Sequence, residues 1–119
     1  MTKPKKIHDL EERTYVFNKN VVFYSRKLPR NASNIEYGKQ VLRSSGSVGA
    51  NYIEANEALS KKDFKMRIKI SRKEAKESIY WLKLLTETNS EELKKEGIIL
   101  FNEATELKKI LSSILEKSK

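Results

Sequence analysis

The sequence predicts an all-α protein, an antiparallel up-down four-helix bundle in a single domain. Only two prolines, Pro4 and Pro29, and four glycines punctuate 119 residues, and no segment alternates with the period of two that marks a strand. Four segments instead place apolar or small residues at alternating steps of three and four. That 3.5-residue repeat keeps one stripe of a helix against its partners along its whole length. Each segment follows a capping signal, and the connections are short enough to make successive helices antiparallel.

The first helix carries Leu10, Phe17, Val21, Tyr24 and Leu28 on its stripe, with Thr14 at the missing step, between the cap-like Asp9-Leu-Glu-Glu12 and the stop at Pro29. The second runs from about Asn34 to Leu59 behind Ser33-Asn-Ile-Glu36, with the stripe Ile35, Gly38, Leu42, Ser45, Gly49, Tyr52. The third opens at Ser60-Lys-Lys-Asp63 and reads Phe64, Ile68, Ser71, Ala75, Ser78, Leu82, Leu85. The fourth opens at Asn89-Ser-Glu-Glu92 and reads Leu93, Gly97, Leu100, Ala104, Leu107, Leu111, Ile114. The bundle is thus expected over residues 9–117, after a basic N-terminal tail at 1–8. Helix one also has Val16, Val22 and Phe23 off its stripe, and helix three has Met66, Ile70, Tyr80, Trp81 and Leu84. Apolar residues beyond one stripe fit either a broad buried face or an interface between subunits, and so a homo-oligomer.

The stretch RSSGSVGANYIEA, residues 43–55, is rich enough in serine and glycine to suggest a phosphate-cradling loop. It lacks the Gly-Lys-Ser/Thr of a P-loop and any preceding strand. The Gly46-Ser-Val-Gly49 spacing has the form of a KH-domain loop, but not the strands of that domain. As a helix the stretch is coherent, because Gly38, Ser45 and Gly49 let neighbouring backbones approach closely. Each glycine costs about 1 kcal/mol of helix propensity against alanine, which close packing must offset.

Several chemistries are excluded or left without support. There is no cysteine, so disulfides, thiolate zinc sites and cysteine nucleophiles are absent. His8 is the only histidine, leaving no base for Ser44, Ser45 or Ser47, and no Glu-x-x-His pair for a ferritin-like di-metal centre. No catalytic residue, metal ligand or cofactor is expected. Asn51, Glu54, Glu57, Glu74 and Glu77 are placed to point inward; Asn51 and Glu54 are expected to fix register by hydrogen bonds to neighbouring helices or subunits, with Arg43 a partner for one of the glutamates. No apolar run is long enough for a membrane span and no signal core is visible, so a cytoplasmic location without membrane contact is expected.

Lys and Arg number 25 against 16 Asp and Glu, a formal net charge of +9, which points to a polyanionic partner. Residues 60–89 hold nine basic and four acidic side chains, and residues 1–31 hold eight and three. Residues 90–119 balance at six of each. On helix three, Lys62, Lys65, Lys69, Arg72, Lys76 and Lys83 form a row about 30 Å long, one residue round from the apolar stripe. Lys19, Arg26 and Arg30 are expected to extend it from helix one. The alternative is a solvated face partly neutralised by Asp63, Glu74 and Glu77. Lysines are point charges rather than guanine-reading forks. No exposed stacking platform is evident, since Tyr24, Tyr52, Phe64 and Trp81 are assigned to packing. Recognition of structured RNA or DNA by shape and charge follows as the expectation.

Ser47-Val-Gly-Ala-Asn-Tyr-Ile-Glu54 resembles the S-I-P-A-N-I-A-E signature of the four-helix bundle family that includes the bacterial 23S ribosomal RNA intervening-sequence proteins. Lys62-Asp-Phe64 and Lys73-Glu-Ala-Lys-Glu-Ser-Ile-Tyr-Trp-Leu82 resemble that family's third-helix pattern. The resemblance spans about Leu10 to Leu111. It departs at Gly49, where proline is common, and at Ala55, where many members have glycine; both favour a more continuous second helix. The resemblance implies a small basic bundle, a pentameric ring and no established enzymatic activity. One branch of the family is encoded within insertions in large-subunit ribosomal RNA genes. A related branch, the accessory variability determinant of diversity-generating retroelements, partners a reverse transcriptase and binds nucleic acid. The competing expectation is therefore a protein-interaction scaffold or reverse-transcriptase accessory subunit. Packing or subunit contact is assigned to Gly38, Ser45, Gly49, Asn51, Glu54 and Trp81.

Overall fold

The structure, a computed structural model, describes residues 6–119, with side chains from Leu10 onward. It consists of α1 (Lys6–Lys27), α2 (Ala32–Asn56), α3 (Lys61–Thr88) and α4 (Glu91–Lys117). Connections of two to four residues force an up-down course, as the capping pattern requires. α2 and α4 each pack against both α1 and α3, while α1 and α3 lie across the diagonal of the bundle. The first helix already begins at Lys6, upstream of Asp9; the remainder of the expected tail, residues 1–5, lies outside the described residues.

Caps explain the boundaries. Asn31, in extended backbone, accepts the Asn34 backbone N–H at 2.9 Å, so the cap of α2 stands two residues before the expected Ser33. Ser60 accepts the Asp63 N–H at 3.0 Å and starts α3 where expected. Asn89 ends α3 instead of opening α4, whose N-cap position is Ser90. The Asn89 and Asn34 side chains exchange two 2.9 Å hydrogen bonds, and Asn34 also donates to the Pro29 carbonyl. This reciprocal amide pair ties the α1–α2 and α3–α4 connections together at one end of the bundle.

The stripes of α1, α3 and α4 fill the core as expected: Leu10, Phe17, Val21, Tyr24, Ile68, Ala75, Leu82, Leu85, Leu100, Ala104, Leu107 and Leu111 are all buried. On α2 the expected Gly38, Ser45, Gly49 and Tyr52 are buried, but the stripe departs from expectation at its two large aliphatic positions. Ile35 and Leu42 are 38% and 37% exposed, and Asn34, Val41, Val48 and Ala55 are buried instead. Apolar strength misleads here because Asn34 is buried with its amide hydrogen-bonded, which removes the usual penalty for a polar group inside.

Residues 43–55 are continuous helix, and their small side chains serve two neighbours. Ser44 and Ser78 share a 2.8 Å hydroxyl contact, and Ser71 donates to the Val48 carbonyl at 2.6 Å, bringing α2 close to α3. Ser45 accepts from Asn18 of α1 at 2.8 Å. A Cβ at Gly49 would come within 2.9 Å of Thr14 Oγ1, so this glycine is required by the α1 approach. Gly38 is different: no atom lies within 4 Å of the position its Cβ would occupy, so the expectation of close packing there is not met within the chain.

Candidate nucleic-acid interface

Charge on α3 is sorted by side. Glu74 and Glu77 turn toward α2, where Arg43 pairs with both (3.3 Å to Glu74), while Asp63 stays beside Lys62 and Lys65 near the α3 N-terminus. Arg67 donates to Asn51 Oδ1 at 3.2 Å, and Asn51 in turn donates to the Ser47 carbonyl, so Asn51 links α2 to α3. Glu54 is exposed, with no hydrogen-bond partner among the described residues; within the chain it does not fix register. Trp81 is half-buried on the same flank, stacked on Tyr37 with ring centroids 5.4 Å apart.

The opposite flank of α3 is basic. Lys65, Lys69, Arg72, Lys73 and Lys76 line two adjoining grooves with Lys108, Ser112 and Glu116 of α4 and Lys119 just past its end. Lys62 lies in the depression continuing from Lys65 and Lys69 to the α3 N-terminus, and Lys83 is exposed further along. Lys119 pairs with Glu116 at 3.0 Å. Among the described residues none of Lys62, Lys65, Lys69, Arg72, Lys73, Lys76, Lys83 and Lys108 makes an ion pair. Of the three expected neutralisers, Glu74 and Glu77 are engaged on the other side of the helix, and Asp63 lies beside Lys62 and Lys65 without an ion pair among the described residues. Like charges one turn apart repel by roughly 0.2–0.5 kcal/mol per pair, which an anionic partner would relieve.

Lys108, Lys119 and Lys73 were not anticipated in this surface. Residues 90–119 balance in net charge, yet two of the acids are drawn off toward α1. Glu103 accepts two hydrogen bonds from Arg13 (2.7 and 3.0 Å) and Glu96 accepts from Lys27 (3.0 Å), so both acids face α1. Toward α3 stand Lys108 and Lys119, with Glu116 there held by Lys119. Projecting helix four on a wheel, rather than summing its charge, would have revealed this.

The expected contribution of Lys19, Arg26 and Arg30 is not geometrically possible as a continuation of the α3 row, because α1 stands across the diagonal. Lys19 lies over the Tyr15 ring and Arg26 over the Phe23 ring, at 5.5 and 5.9 Å. Arg30 borders a separate groove with Ile35, Gly38, Lys39 and Leu42. These cations form a second patch, mixed with exposed aromatic and aliphatic side chains.

Among the described residues no cluster of three His, Cys, Asp or Glu side chains could hold a metal ion. No helix is long and apolar enough to cross a membrane. The shifted tyrosines sit in the core: burial pushes the Tyr24 phenol up, partly opposed by the Thr86 hydroxyl, and burial likewise pushes up Tyr52. Tyr24 Oη and Thr86 Oγ1 are both sealed from solvent, close enough to influence one another but without hydrogen-bond geometry.

The family model for the 23S rRNA-intervening sequence protein matches residues 8–113. The chain belongs to this family. A crystal structure from Bacteroides thetaiotaomicron, of a protein of unknown function from the S23 ribosomal protein family, is 34% identical and superposes with a TM-score of 0.80. The match covers 93% of this chain and 98% of that one. No curated protein matches. The family assignment and the four-helix architecture agree with the resemblance carried by the Ser47–Glu54 and Lys73–Leu82 motifs.

Proposed function

We propose that this member of the 23S rRNA-intervening sequence protein family is a non-enzymatic, cytoplasmic nucleic-acid-binding bundle, which contacts the phosphates of structured RNA or DNA through its α3–α4 face. The observation that carries the reading is the row of unpaired cations on that face, where the carboxylates lining the grooves are Asp63 at one end and Glu116, which pairs with Lys119 and leaves the α3 cations without partners. Lysine points to backbone contact, so affinity should fall steeply with salt, and little sequence preference is expected.

Self-association belongs to the same reading. Tyr15, Phe23, Ile35 and Leu42 are 64%, 46%, 38% and 37% exposed on α1 and α2, away from the basic face. A homo-oligomer joined there, a ring of five being the expectation set by the family resemblance, would leave the basic faces free. Repeating a modest basic row in every subunit raises avidity without a new contact.

The test is fluorescence anisotropy with structured ribosomal RNA and with duplex DNA at several salt concentrations. Lys65→Glu, Lys69→Glu and Lys76→Glu together should abolish binding, whereas Lys19→Glu with Arg26→Glu should leave most of it. The reverse ranking would move the contact surface to α1. Wild-type protein that binds neither nucleic acid at low salt would overturn the reading and favour a protein partner, such as a reverse transcriptase.

A further inference from the structure

Tyr80 is 61% exposed, although its immediate neighbours in space are aromatic. Its ring stands perpendicular to that of Trp81, at 79° with centroids 4.9 Å apart, and Trp81 is stacked on Tyr37 of α2. Three rings in series, from two helices, thus end at a tyrosine on the outer ridge of α3. An edge-to-face contact fixes the orientation of a ring while leaving a face open, so Tyr80 is held rather than free to sweep.

The charge around that ring is equally specific. Lys76 stands one turn before Tyr80 and Lys83 one turn after it, at the spacings where helical side chains become neighbours. The carboxylate nearest Tyr80 along the helix, Glu77, is turned toward α2 and bound by Arg43, and it also accepts from the Trp81 indole N–H at 3.4 Å. An open aromatic face between two unpaired cations therefore lies at the border of the α3–α4 basic surface. This arrangement is absent from the expectations drawn from sequence, where every aromatic considered was assigned to packing.

We infer that Tyr80 is a stacking platform for an unpaired base, with Lys76 and Lys83 holding the phosphates on either side, so that the basic face selects nucleic acid with unstacked nucleotides over uniform duplex. This rests on the proposed nucleic-acid reading and narrows its ligand class. A base inside a duplex has both faces covered by its neighbours, so only a loop, bulge or single strand can present one to the ring. Stacking is tolerant of base identity, which agrees with a lysine-dominated surface that lacks forked donors.

The experiment compares an RNA hairpin bearing an unpaired loop with a blunt RNA duplex of equal phosphate number, at one salt concentration, using anisotropy. Trp81 is the only tryptophan in the chain, and its emission reports events at the neighbouring ring. Wild type should bind the hairpin about 5- to 150-fold more tightly, the range for one base on an aromatic side chain, and only the hairpin should change Trp81 emission. Tyr80→Ala should erase the preference while leaving duplex affinity and its salt slope intact, and Tyr80→Phe should keep it. Equal wild-type affinity for the two RNAs, or a preference that survives Tyr80→Ala, would overturn the platform while leaving the phosphate-binding face standing. A Tyr80→Ala protein with altered sedimentation mass and an unaltered preference would reassign the ring to a subunit contact. Failure of wild type to bind either RNA would remove the basic-face reading itself, and the platform with it.

Discussion

The two flanks of α3 are built alike near the core and oppositely at the surface. Toward α2, serine hydroxyls let the helices close together, and outside them Arg43 neutralises Glu74 and Glu77. Toward α4, a glycine at position 97 lets the helices close together, and outside it Lys69, Arg72, Lys73, Lys76 and Lys108 make no ion pair among the described residues. Close packing is thus a structural requirement met on both flanks, whereas neutralisation is met on one alone. A surface whose charges are satisfied internally has nothing left to offer a ligand. The comparison teaches that the functional flank is to be sought where sorting of charge stops, not where basic residues are most frequent.

The inner layer gives the largest expected effect. A Cβ at Gly97 would stand 2.2 Å from Thr86 Oγ1 and 2.9 Å from Tyr24 Oη. β-branched Thr86 has few other rotamers in a helix, so Gly97→Ala should lower stability by about 1–3 kcal/mol despite its better helix propensity. Gly38→Ala, with nothing within 4 Å, should do the opposite and gain about 0.5–1 kcal/mol. Urea unfolding of both variants reads the contrast. Equal effects of the two would mean that the α3–α4 approach at Gly97 is looser than described.

The outer layer gives the next. Glu74 is nearly buried, and Arg43→Ala would leave its carboxylate without its cation. A loss of about 1–2 kcal/mol is expected, limited because the arginine is itself half exposed. Lys76→Ala on the other flank should change stability by less than about 0.5 kcal/mol while reducing the salt slope of nucleic-acid binding by about one. A stabilising role for Lys76 equal to that of Arg43 would break the distinction between the flanks.

Most of the fold was legible because it depends on pattern, and part of the site was not because it depends on which way a pattern faces. Heptad stripes identified the buried residues of α1, α3 and α4, since burial there follows apolar character. On α2 they held for Gly38, Ser45, Gly49 and Tyr52 and failed at Ile35 and Leu42, which are left partly outside while Asn34 is buried through its amide pair. The basic row on α3 was visible as a one-dimensional spacing. Its continuation into Lys108 and Lys119 was hidden by a neutral segment sum, and the diagonal position of α1 could not be inferred from helix order alone. Tyr80 was grouped with Trp81 as an off-stripe apolar residue for a buried face or subunit interface for a related reason: adjacent aromatics suggest shared packing, although successive helical positions point about 100° apart.

The smallest expected effect probes the point where α1, α3 and α4 meet. Burial pushes the Tyr24 phenol above its ordinary value of about 10, so the folded state holds this proton more firmly than the unfolded chain. Unfolding then releases a proton at alkaline pH, and stability falls as pH rises above about 10, the reverse of a paired carboxylate. Tyr24→Phe should flatten that decline in part, Tyr52 contributing in the same direction. Subtracting the variant's pH–stability curve from that of wild type removes the lysine titrations common to both. At neutral pH the same substitution should cost less than about 1 kcal/mol or even stabilise, because it deletes a buried hydroxyl that has no hydrogen-bond partner. A loss well above that would show that Tyr24 and Thr86 are hydrogen-bonded after all, and that α1 and α3 share a buried polar link across the core like the Ser44–Ser78 contact between α2 and α3.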